Sequence, residues 1–173
     1  MNIEQKIEDE ILPKLTQETC KSLNLKKKDL SELNWQTGES NLDTDFSNLA
    51  KKCCESAFKK INEIKELSLK IDITDLKLKF KFKKKIINKK IELKTSKTNT
   101  LPGGTKRTLD INQWTICCKR SKKIDEFELK YGRYYLGMKV TDRDLLQDRS
   151  PRPQLNFQNF QDPTESPKKE KRE

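Results

Sequence analysis

The sequence predicts an α+β domain, a sandwich-like packing of helices on a short antiparallel sheet. Three observations predict it. Residues 43–66 repeat apolar side chains at helical spacing, residues 69–82 alternate apolar and polar with period two, and two further strand-like runs follow at 113–119 and 126–138.

The first 40 residues read as a helical extension. Ile3, Ile7, Ile11 and Leu15 recur every fourth position, and Pro13 inside that run predicts an end or a kink. Residues 16–41 look polar and turn-rich, with Leu23, Leu25, Leu30, Leu33 and Trp35 as scattered anchors. Residues 1–40 are therefore expected to pack on the core or to serve a partner. The core domain spans 41–150. Its helix carries Phe46, Leu49, Ala50, Cys53, Cys54, Ala57, Phe58, Ile61 and Ile64 on one stripe. Asp43, Thr44 or Asp45 would cap it, and Lys51/Glu55 and Glu55/Lys59 are spaced to pair on its wet face.

The period then changes. Leu69, Ile71 and Ile73 alternate with Lys70, Asp72 and Thr74; Leu76, Leu78, Phe80 and Phe82 alternate with Lys77, Lys79, Lys81 and Lys83. Lys84–Lys89 reads as a hairpin turn, and Ile91–Lys94 as the returning strand. One face of this sheet is apolar and the other strongly basic. Residues 95–108 read as loop, with a turn at Pro102-Gly103-Gly104. Residues 151–173 hold four of the six prolines and end in PKKEKRE, which predicts a basic, Pro-rich tail that is largely disordered.

Composition limits the chemistry. Charged residues make up 38% and hydrophobic residues 32% of the 173, so the core is small for the length. The net charge of +11 is concentrated: residues 51–100 carry 16 basic and 6 acidic side chains, whereas residues 1–50 carry 6 and 10. A basic surface of this kind favours a polyanion, most simply nucleic acid. Histidine is absent, which excludes Ser-His-Asp and Cys-His nucleophiles, His-based zinc sites and His-dependent nuclease chemistry. Phosphodiester chemistry would have to run on carboxylates, lysines and a hard cation. The five cysteines, Cys20, Cys53-Cys54 and Cys117-Cys118, have no C-x-x-C spacing and read as small buried hydrophobes in a reducing compartment. No apolar run approaches a membrane span and no signal-peptide segment is evident, so an intracellular protein, cytoplasmic or nuclear, with no membrane partner is expected.

The strongest local feature is Glu92-Leu93-Lys94. Residues two apart on a strand share a face, so Glu92 and Lys94 project together while Ile91 and Leu93 turn to the core. A second carboxylate from a neighbouring strand, Asp75 or its alternate Asp72, would complete a set able to hold Mg²⁺ and a water against a phosphodiester. Asp75 is preferred because it opens the run Asp-Leu-Lys-Leu beside Lys77. The plain alternatives are a turn aspartate and a surface Glu92–Lys94 ion pair.

A helix, a three-strand meander with Asp on its second strand and E-x-K on its third, then more helix or strand, resembles the PD-(D/E)XK nuclease superfamily over residues 43–120. The resemblance implies a restriction-endonuclease-like core of an N-terminal helix, a short mixed sheet and flanking helices. It implies a Mg²⁺-dependent DNA endonuclease, with Mn²⁺ able to substitute. Asp75 and Glu92 would be the metal ligands, and Lys94 would position or deprotonate the attacking water. The proline that often precedes the family aspartate is missing: Thr74 precedes Asp75 and Ile71 precedes Asp72. A single compact nuclease domain often dimerises to cut both strands, so a homodimer is among the implied partners.

Lys97, Lys106, Arg107, Gln113, Arg149 and Arg152 are the candidate DNA contacts beside the site. The segment Asp148–Pro153, followed by Asn156-Phe157, forms a basic strip that could track a phosphate backbone or dock through Phe157 and Phe160. It loosely resembles C-terminal segments of restriction-endonuclease-like proteins of large DNA viruses. The competing expectations are a non-catalytic basic nucleic-acid-binding protein, and a structural protein whose basicity follows from codon bias.

Overall fold

The computed structural model describes residues 2–33, 35, 41–73, 75–101, 110–138 and 154–165, with the backbone alone at 41–44. The chain opens with α1 (Ile3–Lys6), widens into a π-helical segment (Ile7–Ile11) and continues as α2 (Leu12–Asn24), followed by α3 (Lys27–Glu32). Pro13 does not end this helix. It sits in the first turn of α2, where the wider π segment before it accommodates the missing N–H. The stretch after residue 16 is thus helical rather than turn-rich. Leu15, Cys20, Leu23 and Leu30 are fully buried, and the described part of residues 1–40 belongs to the main core.

Helix α4 (Asn41–Ile61) buries Phe46, Ala50, Cys53, Cys54, Ala57 and Phe58 of the expected stripe; Leu49 and Ile61 are partly buried, Ile64 lies beyond the helix, and the expected caps at 43–45 fall inside it. It stops before the predicted residue 66 because Asn62 turns the chain: its side chain donates to the Leu67 carbonyl at 3.1 Å and accepts from Ile64 N–H at 3.1 Å.

The strands are β1 (Leu67–Ile73), β2 (Leu76–Phe82), β3 (Lys85–Ser96), β4 (Thr100–Leu101), β5 (Trp114–Lys119), β6 (Glu128–Arg133) and β7 (Leu155–Asn156), with a short α5 (Tyr134–Gly137) after β6. The main sheet has the order β1-β2-β3-β5-β6. β1, β2 and β3 form an antiparallel meander, β3 and β5 run parallel, and β5 and β6 are antiparallel. The fold is therefore α+β with a mixed sheet. The β2–β3 turn is Lys83-Lys84, since Phe82 pairs with Lys85, so most of the expected 84–89 turn is strand. Lys83 takes the left-handed conformation there, with φ 53°.

Register assigns the two faces. Leu67, Ile71, Leu76, Leu78, Phe80, Ile87 and Ile91 meet α2 and α4 in the main core, where Phe58 and Phe80 touch edge to face at 6.1 Å. The opposite face carries Lys70, Lys77, Lys79, Lys81 and Lys90 over the meander. Over β5 and β6 that same face is covered by a second apolar cluster of Leu101, Cys117, Tyr134, Leu155, Phe157 and Phe160. The segment predicted as disordered tail is therefore folded at least over 154–165. β7 pairs with β4, and the Gln161 backbone bonds both ways with Tyr131 at 3.0 and 2.8 Å. Docking through Phe157 and Phe160 is the outcome observed, each being almost fully buried.

Candidate functional site

Asp75 is not on the second strand, as the resemblance implied, but in the β1–β2 turn, its plain alternative, at φ 53°, a backbone conformation that Asp tolerates better than most side chains. Leu76 pairs with Ile91, so the next row sets Asp75 beside Glu92. Its Oδ1 accepts from the backbone N–H of Leu93 at 3.0 Å, and its Oδ2 lies 3.2 Å from Lys90 Nζ. The carboxylate is thus docked on β3 through the Leu93 N–H and the Lys90 ammonium. A charge-assisted bond to a backbone donor is worth about 1.5–3 kcal/mol, enough to hold the side chain in place.

Glu92 and Lys94 share the basic face, as their parity requires, and form an ion pair at 3.1 Å with only 18% and 16% of the side chains exposed. Across the parallel register they face Thr115 and Cys117, both fully buried. Burial pushes the Cys117 thiol well above its ordinary range; Cys118 adds to the rise, Lys94 opposes it and Glu92 adds to it. The Glu92–Lys94 pair therefore stands on a dry floor. Thr115 and Cys117 give no chemical signal in the sequence as site residues, and Lys90 gives one only through its shared parity with Glu92.

Asp72 lies elsewhere. It lies on β1 opposite Lys77 of β2, is exposed, and is separated from β3 by the whole of β2, roughly 10 Å across two strand spacings. Gln113 precedes β5, and its side-chain amide donates to the Lys90 carbonyl and, at 3.4 Å, to that of Trp114. It clips β5 to β3 beside the Asp75–Lys90 pair. Lys97 is exposed just past the end of β3. Lys106, Arg107, Arg149 and Arg152, like the Pro102-Gly103-Gly104 turn, lie outside the described residues.

The donor set speaks to the kind of cation that would fit. Among the described residues no group of three or more His, Cys, Asp or Glu side chains could hold a metal. Asp75 and Glu92 are two hard carboxylates, each already facing a lysine. That is too few donors for a closed zinc site, but it matches Mg²⁺, which keeps several waters and takes one or two carboxylates together with substrate phosphate.

Comparison with protein-family models, with curated proteins and with solved structures gave no match. No helix among the described residues is long and apolar enough to cross a membrane.

Proposed function

We propose that the protein is a Mg²⁺-dependent DNA endonuclease of restriction-endonuclease-like type. The observation that supports this most is the docking of Asp75 on Leu93 N–H at 3.0 Å, which brings a second carboxylate to the E-x-K strand. Asp75 and Glu92 would hold the cation. Bound there, Mg²⁺ would lower the pKa of a coordinated water and neutralise phosphate charge. Lys94, held 3.1 Å from Glu92, would stabilise the charge growing on the phosphate oxygens or orient the attacking water. Lys90, Lys77 and Lys79 would draw the substrate backbone along the open face. Gln113, Lys106, Arg107, Arg149 and Arg152 would extend that contact, whereas Lys97 follows β3 with the parity of the opposite face; a homodimer would present two such sites to the two strands.

A second reading, a non-catalytic nucleic-acid-binding protein, is favoured by one specific observation: each site carboxylate is already within 3.2 Å of a lysine ammonium. Plasmid nicking in Mg²⁺ or Mn²⁺ separates the two. Glu92→Ala and Lys94→Ala should each lower nicking by roughly 10²-fold or more while leaving salt-sensitive DNA binding in place. Binding without metal-dependent nicking in the unaltered protein would leave the second reading.

A further inference from the structure

We infer that the cavity at the carboxyl ends of β3 and β5 is a phosphate-binding pocket, built by Arg120, Lys97 and Lys122 around Trp35. The inference does not depend on the nuclease reading. Arg120 N–H donates to the Ser96 carbonyl at 2.7 Å, which fixes the two strand ends together. Residues 97 and 120 follow those ends with the parity of the helix-backed face, opposite to Glu92 and Lys94. A cavity of about 430 Å³ opens there, lined by Trp35, Lys97, Arg120, Ser121 and Lys122.

Its walls are held by specific contacts. Trp35 donates its indole N–H to the Leu30 carbonyl at 2.7 Å and packs against Phe46 and Phe127 at 5.8 and 6.2 Å. The Arg120 guanidinium lies over the indole at 5.1 Å, which holds its plane and leaves its edge to be used. Nη1 reaches the Trp35 carbonyl only at 3.5 Å, and Nε is buried with no hydrogen-bond partner. Nε has no surface open to the cavity, so the donors the pocket offers are the terminal guanidinium N–H groups, whose fork matches the oxygens of a phosphate.

The charge around it fits the same ligand. Lys97, Arg120 and Lys122 form no ion pair among the described residues. The nearby acid, Glu126, is already engaged by the Ser121 hydroxyl at 2.7 Å and by Lys123 at 3.8 Å. Three cations with no acid among the described lining residues suit a dianionic phosphate better than a monoanion. That phosphate could be the end group of a polynucleotide or a free phosphate species, and the test separates these.

The experiment measures binding of a short, dye-labelled DNA strand to the full chain in EDTA, so that no cleavage enters. One strand carries a terminal phosphate, the other a terminal hydroxyl. The pocket predicts about tenfold tighter binding of the phosphorylated strand, the scale of one or two charge-assisted bonds. Lys97→Gln/Lys122→Gln, two exposed positions whose replacement spares the core, should erase that difference. Arg120→Lys, which keeps the charge and loses the fork, should reduce it, and Glu92→Ala should preserve it. If inorganic phosphate or a mononucleotide binds, shifts the Trp35 emission and competes with the strand, a free phosphate species is the ligand. Equal binding of both strands together with no response to inorganic phosphate would overturn the pocket, as would a difference that survives Lys97→Gln/Lys122→Gln. Because nicking is not the readout, failure here leaves the nuclease reading intact, and the reverse also holds.

Discussion

Over β1 and β2 the polar face of the sheet is open to water, whereas over β5 and β6 the same face is covered by Leu155, Phe157 and Phe160. On the open side, like charges stand directly opposite one another, Lys70 against Lys79 and Lys77 against Lys90. On the covered side, Thr115 and Cys117 are wholly dry. Glu92 and Lys94 lie on the seam. The difference teaches where electrostatics count on this sheet. Exposed lysines act through their summed field and are screened by salt, while a pair on a dry floor keeps more of its Coulomb energy.

The largest expected effect comes from removing the cover. Phe160→Ala should destabilise the fold by about 3–5 kcal/mol, read as a shift of the urea midpoint, while Lys79→Ala on the open side stays within about 0.5 kcal/mol. A similar small loss in both would erase the distinction between the two regions.

Asp75 sharpens the seam itself. Asp75→Ala loses the Leu93 N–H acceptor and leaves a β-carbon at φ 53° without a local hydrogen bond; about 1–3 kcal/mol of stability should go with it. Asp75→Asn keeps the acceptor and the tolerance of that backbone. It should retain most of the stability while losing the negative charge, and equal losses in the two variants would show that charge, not geometry, holds the turn.

Alkaline pH tests the dry regions together. Burial pushes the Cys54 and Cys118 thiols up to about 12 from the ordinary 9.0. The folded state then holds these protons more tightly than the unfolded chain does. Their contribution is complete below pH 9.0 and is lost as pH climbs toward 12. Each thiol should contribute a decline of about 1.4 kcal/mol per pH unit in that window, and Cys118→Ala should make the decline shallower in a series of thermal melts.

The smallest effect has two opposite parts. Lys70→Glu turns a like-charge cross-strand pair into an attractive one and should stabilise the sheet by about 0.2–1 kcal/mol. It should also weaken polyanion binding and flatten its salt dependence. Loss of both stability and binding would indicate that Lys70 supports the fold.

Much of this was legible in the chain because it is local. The i, i+3, i+4 stripe from Phe46 to Ile61 marks α4, and alternation marks β1 and β2. Parity alone sets Glu92 beside Lys94. The start of β3 was not legible, because Lys83-Lys84 turns without a Gly or Asn and the lysines after it resemble a loop. Helix α2 was hidden by Pro13, whose tolerance depends on the π segment before it. The choice of Asp75 over Asp72 is a matter of register, one row against two strands. The floor of Thr115 and Cys117 is set by parallel pairing between distant segments, and the folding back of residues 154–165 by long-range burial of Phe157 and Phe160. No local pattern carries either.

The cover also imposes an order of events. Helix α4 and the β1–β3 meander are joined by short connections and can assemble as the chain leaves the ribosome. The segment that shelters Cys117 is held by contacts reaching back to Asn99, Tyr131 and Gln17, so it can close only after all of them have been made. A nascent chain halted before Leu155 would hold the sheet and its lysines, with the seam still wet. The cover over Cys117 would thus form only after the sheet beneath it, and the setting of Glu92 and Lys94 would change as residues 154–165 fold back.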